Sequence, residues 1–226
     1  MNPPRHIEVL VAMRITISLL VFVFGCQTLP YQYRPKQSLP AEIEKVAVVG
    51  FYGALSAEES PGLFRCPLCG AAFMAEPVPD NVARDLSFDL YTCLQASHRY
   101  ALVSPSQARE VFSGGPSQSV TSALQATAKA LSADAVLFGY VYRWRERAGT
   151  AYAVSSAASI GFDLHLVSSE DGAILWKDSF TKTQLSLSEN VLDISTFIKS
   201  GSKWLTAREL ARIGIEDMIK EVCQPF

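Results

Sequence analysis

Histidine is scarce in this chain: 226 residues hold three, at 6, 98 and 165. That is a thin supply for metal sites or acid–base chemistry. The catalytic signatures that need fixed spacing are missing as well. There is no Gly-x-Ser-x-Gly, no His-Glu-x-x-His, no phosphate loop and no Gly-x-Gly-x-x-Gly, so no hydrolase, zinc-protease or nucleotide-binding reading has a foothold. No Lys/Arg-rich run appears and the formal net charge is −2, so nothing draws nucleic acid electrostatically. The amino-terminal apolar run, residues 15–24, has only ten residues. As a helix it would rise about 15 Å, roughly half of a bilayer core, which excludes a stable transmembrane helix there. Internal repeats and low-complexity runs are absent. What remains is 49% apolar and 19% charged, the composition of a globular chain long enough to bury a core.

The apolar run follows Arg5 and Arg14 and ends at Gly25-Cys26. Positive charge, a short apolar stretch and a small residue make a secretory signal peptide over 1–25; a buried strand ending in Gly-Cys is the plainer alternative. Val23-Phe24-Gly25-Cys26 resembles a lipobox, with Val23 in place of the usual Leu and Phe24 bulkier than usual. The resemblance implies cleavage between Gly25 and Cys26 and acylation of Cys26. Gln27 follows rather than Asp, which by the same resemblance implies the outer membrane, facing the periplasm. Cleavage removes Arg5, Arg14 and Glu8, a net +1, taking the formal charge from −2 to −3.

Residues 26–43 carry Pro30, Pro35 and Pro40 and no periodicity, and read as a tether. Residues 44–226 read as a single periplasmic domain. A nearly continuous apolar run at 45–51 predicts a strand buried on both faces. A Gly/Pro-spotted loop is expected over 52–79, then a helix over 81–97 capped by Asp80. Strand 100–103, a helix behind Ser104-Pro105 and a helix over 120–131 follow. Residues 136–147 alternate, predicting a strand with Val136, Phe138, Tyr140, Tyr142 and Trp144 on one face. A second strand at 152–168 places Ile160, Phe162, Leu164 and Leu166 inward, with Asp163 and His165 outward. Glu170-Asp171-Gly172 turns the chain into a strand at 174–181, and Thr206 to Glu209 opens a final helix as a capping box. The sum is an α/β (α+β) fold: a mixed parallel and antiparallel sheet of about five strands with helices packed on it.

This layout resembles the fold group of the TolB amino-terminal domain, the curli-secretion lipoprotein (CsgG) and the penicillin-binding-protein activator lipoprotein (LpoB). The stretches that carry the resemblance are Lys45 to Phe51, Tyr100 to Ser104, Leu131 to Gly139 and Asp171 to Trp176. The resemblance implies a non-catalytic envelope lipoprotein that acts in protein–protein interaction or assembly, without a cofactor or small-molecule substrate. Its partners would be the membrane, through the lipid, and envelope proteins or further copies of the chain. Two alternatives stand beside it: a zinc or redox protein built on Cys66 and Cys69, and a subunit of an oligomeric outer-membrane secretion channel. Arginine at 143, 145 and 147 suits a solvated hairpin end better than a membrane-crossing strand.

Cys66-Pro67-Leu68-Cys69-Gly70 is the sharpest local motif. In an oxidising periplasm, disulfides come first: Cys66–Cys69 with Cys93–Cys223 is one of three possible pairings. The motif also resembles one knuckle of a zinc ribbon, whose four ligands would here be Cys66, Cys69, Cys93 and His98. No strand directly precedes the motif, which weighs against thioredoxin-like redox chemistry. Asp163 and His165 share a strand face but have no nucleophile beside them, so a surface polar pair meeting Arg143 or Arg145 is expected in preference to catalysis.

Overall fold

The computed structural model describes residues 43–113, 119–151, 153–184 and 203–222. The leader, Gly25, Cys26, tether residues 26–42 and Cys223 lie outside the described residues, while Ile43, expected in the tether, is buried in the core. In chain order the elements are β1 (Lys45–Gly53), β2 (Gly62–Arg65), β3 (Ala72–Ala75), α1 (Asp80–Ser97), β4 (Ala101–Val103), α2 (Pro105–Val111), α3 (Val120–Ala130), β5 (Ala135–Arg145), β6 (Ala148–Gly149), β7 (Val154–Ser156), β8 (Ser159–Ser168), β9 (Ile174–Thr183) and α4 (Ala207–Val222). The main sheet runs β4-β1-β5-β8-β9. β1 pairs in parallel with both β4 and β5, because helices intervene in the chain. β5, β8 and β9 pair antiparallel through short connections. Among the described residues, the mixed five-stranded sheet with four helices is the architecture the sequence implies.

The apolar run of β1 is explained by helices on both faces of the sheet. On one face Val46, Val48, Leu137, Phe162, Leu164 and Leu166 meet Leu86 and Leu90 of α1 and Leu210 and Ile215 of α4. On the other, Ala47, Val49, Val136, Phe138 and Val167 meet Ala108 of α2 and Leu124 and Ala128 of α3. The helix starts follow side-chain chemistry. Ser104 accepts from the Gln107 amide with Pro105 in the first turn, and Ser119 accepts from the Ser122 amide. The capping box of α4 is reciprocal: Thr206 Oγ1 accepts from the Glu209 amide at 3.2 Å, and Glu209 Oε2 accepts from the Thr206 amide at 2.8 Å. α1 departs from expectation. Asp80 is its first residue and Pro79 stands at the cap, with no side-chain cap bond, so Asp80 acts through its charge near the helix amino terminus.

The strand at 136–147 also departs from a simple alternation. A register shift between Val141 and Arg143 inserts one residue, so Trp144 packs on the Leu137/Val141 side and not with Tyr140. The strand expected over 152–168 is two elements, the short β7 and the fully buried β8.

Candidate metal centre

Within the segment expected to be a loop, β2 and β3 form a two-stranded antiparallel arm that pairs Leu63 with Met74 and Phe64 with Phe73. Alternation decides its two faces. Phe64 leans on Tyr140 with ring centroids 4.9 Å apart, and Phe73 stacks on Tyr142 at 4.2 Å. Leu63 and Met74 point away, 68% and 69% exposed. Both feet of the arm stand on β5: the Ala54 amide donates to the Val141 carbonyl and the Glu76 amide to the Tyr142 carbonyl, each at 2.9 Å. The Glu76 carboxylate accepts from the Trp144 amide at 3.1 Å and from Arg145 Nε at 2.9 Å.

The tip of the arm is the Cys66–Gly70 turn. The Cys66 amide donates to the Ala71 carbonyl at 2.8 Å and the Gly70 amide to the Cys66 carbonyl at 2.9 Å. Gly70 sits at φ 72°, in the left-handed region where a side chain is strained. Arg65 donates to the Gly70 carbonyl at 3.0 Å. The Leu68 and Cys69 backbone favours a thiolate at Cys66, against the larger opposing effect of burial.

β8 supplies the other half. Asp163 and His165 alternate with Phe162, Leu164 and Leu166 and so project from the opposite face, beneath the arm. They are 2% and 1% exposed, and Cys66 is 1% exposed. Cys66 Sγ lies 3.8 Å from His165 Nε2, and that nitrogen lies 3.9 Å from Asp163 Oδ2. With Cys69 added, one ligand atom from each of the four residues lies within 4.8 Å of every other. Asp163 Oδ1 accepts from the Tyr140 amide at 2.8 Å, while Asp163 Oδ2 and His165 Nδ1 make no well-aligned hydrogen bond among the described residues. The strand pair must come very close here: a Cβ on Gly139 would lie 2.1 Å from the Asp163 carbonyl oxygen.

Burial sets the protonation states of the isolated groups. It raises the Asp163 carboxyl to about 6, against the pull of the Tyr140 amide. It lowers His165 to about 4, with Lys177 adding to the effect. It pushes the Cys66 thiol up to about 12, with the Asp163 charge adding. All three move toward the neutral form, as donors sharing a dry space must. A divalent cation reverses that logic, because it stabilises thiolate, carboxylate and neutral imidazole together.

The expected site residues are redistributed. Cys66, Cys69 and Cys93 are free thiols in the structure, so the Cys66–Cys69 disulfide is not formed there. Cys93 packs against the α1/α4 core, the sheet stands between it and Cys66, and His98 terminates α1. Cys66, Cys69, Cys93 and His98 are thus not brought together; Asp163 and His165 stand where Cys93 and His98 were expected. Asp163 and His165 are buried, not outward, because the arm covers that face. They do not meet the arginines: His165 lies opposite Phe138 and Lys177, Arg143 opposite Gly161, and Arg145 binds Glu76. The i, i+2 spacing was visible in sequence; the partnership with Cys66, 99 residues away, was not.

No protein-family model matches the sequence, and no curated protein does. Among solved structures, the chain is similar to the PelC dodecamer of Paraburkholderia phytofirmans, with 16% identity, TM-score 0.49, and 84% of this chain and 95% of that one covered. It is similar to lipoprotein GNA1162 of Neisseria meningitidis, with 17% identity, TM-score 0.40 and coverage of 69% and 91%. It is also similar to the LpoB C-terminal domain of Salmonella enterica, with 16% identity, TM-score 0.36 and coverage of 62% and 83%. None of these likenesses bears on chemistry.

Proposed function

We propose that this chain is a lipid-anchored, non-catalytic lipoprotein of the cell envelope, acting through contacts with envelope proteins or with copies of itself. The observation that carries the reading is the amino-terminal succession of positive charge, ten apolar residues and Val23-Phe24-Gly25-Cys26. Among the described residues no helix is long and apolar enough to cross a membrane. Attachment then rests on the acyl chains at Cys26, each buried CH₂ contributing about 0.8 kcal/mol. Residues 26–43 tether the folded body, and Gln27 directs it to the periplasmic side of the outer membrane.

Mass spectrometry of the native protein tests the anchor. The expected product begins at Cys26 with its sulfur acylated, and Cys26→Ser accumulates as an uncleaved precursor without lipid. An unmodified sulfur in the native chain, or full-length native protein retaining residues 1–25, overturns the reading.

A further inference from the structure

We infer that Cys66, Cys69, Asp163 and His165 hold a structural Zn²⁺ ion that clasps the β2–β3 arm onto the sheet. The inference stands on the folded body alone and does not depend on the anchor.

Three observations converge. The donor set is two sulfurs, one imidazole nitrogen and one carboxylate oxygen, the soft-to-borderline mixture that zinc takes in four-coordinate sites. Zn–S bonds of about 2.3 Å and Zn–N or Zn–O bonds of about 2.0–2.2 Å give tetrahedral edges of about 3.3–3.8 Å. The two edges that meet at His165, 3.8 and 3.9 Å, lie near that range and no edge of the cluster exceeds 4.8 Å, so binding draws the donors together by at most about 1.5 Å. The inner oxygen of Asp163 is buried and, among the described residues, meets only Cys66 and His165 of the cluster, while its outer oxygen is fixed by the Tyr140 amide, so its lone pairs are aimed into the cluster.

The chemistry balances without an oxidant or reductant. Zn²⁺ displaces one proton from each thiol, giving two thiolates and two released protons. With the carboxylate and a neutral imidazole, the filled site carries −1, and Lys177 faces His165 from β9. Four protein ligands leave no open position and three of them are buried, which makes the ion structural and not catalytic. Partly exposed Cys69 is the side from which the ion enters.

The test uses the full chain purified from membranes in mild detergent without chelator. Elemental analysis should find one zinc per chain. Cys69→Ser and His165→Ala should each weaken zinc retention by at least about tenfold, and Cys93→Ser should leave it unchanged. Exchange of the native chain with cobalt(II) should give thiolate-to-metal charge transfer and the intense visible bands of a tetrahedral ion, a readout that no variant's folding can obscure. Chelation should open residues 54–76 to limited proteolysis. A metal-free native chain, zinc unchanged in Cys69→Ser, an octahedral cobalt spectrum, or a Cys66–Cys69 disulfide in the native protein would each overturn the inference.

Discussion

Replacing Gly139 with alanine drives a methyl group to 2.1 Å from the Asp163 carbonyl oxygen and 3.1 Å from Phe51 Cδ1. The first contact is backbone, so no rotamer change relieves it, and β8 must move away from β5. Overpacking of this kind costs about 1–3 kcal/mol. Loss of glycine's freedom in the unfolded chain returns about 0.4–1 kcal/mol, leaving a net loss of about 1–2 kcal/mol. For a chain of this size that lowers the melting temperature by about 2–8 °C. The displacement falls on the residue whose Oδ1 accepts from the Tyr140 amide, so the same substitution should weaken zinc retention. Gly62→Ala is the control, since its nearest contact is a carbonyl at 3.8 Å. Thermal unfolding of both variants decides the matter. A Gly139→Ala midpoint equal to that of Gly62→Ala would refute the close approach of β5 and β8.

Phe162 is fully buried, edge-on to Phe51 with centroids 5.2 Å apart and tilted against Phe180 at 5.6 Å. Phe162→Ala should cost about 3–5 kcal/mol in urea unfolding; a loss under 1 kcal/mol would contradict its place in the core. Thr206→Ala removes one arm of the α4 capping box and should cost about 1 kcal/mol, with Thr206→Ser restoring most of it. Leu63→Lys, on the exposed side of the arm, should shift stability by no more than about 0.5 kcal/mol, and a larger loss would mean that the residue is covered.

Most of the sheet was legible because its signals are local. The run at 45–51, the caps at Ser104 and Thr206 and the turn at Glu170 to Gly172 each settle their element within a few residues. The arm was not legible. Gly62–Arg65 and Ala72–Ala75 are four residues each, hold no β-branched side chain and flank a turn that reads as loop. The arm also decides how β8 reads. Polar residues alternating with apolar ones normally face water, and only a cover built elsewhere in the chain turns Asp163 and His165 into buried groups. The bulge after Val141 carries no compositional mark either, so alternation alone places Trp144 on the wrong side. Cys66 and Cys69 stand out by their spacing, while their partners are set by the topology.

The feet of the arm rest on neighbouring residues of one strand, Val141 and Tyr142. Residues 55–75 therefore leave the main body and return to it at almost the same point, like the handle of a jug. β1 continues to pair with β5 up to Gly53, and α1 begins just beyond Glu76, whatever lies in between. A chain in which a short glycine bridge replaces the handle keeps every rung of the five-stranded ladder. What it gives up is the pair of sulfurs and the roof over Asp163 and His165.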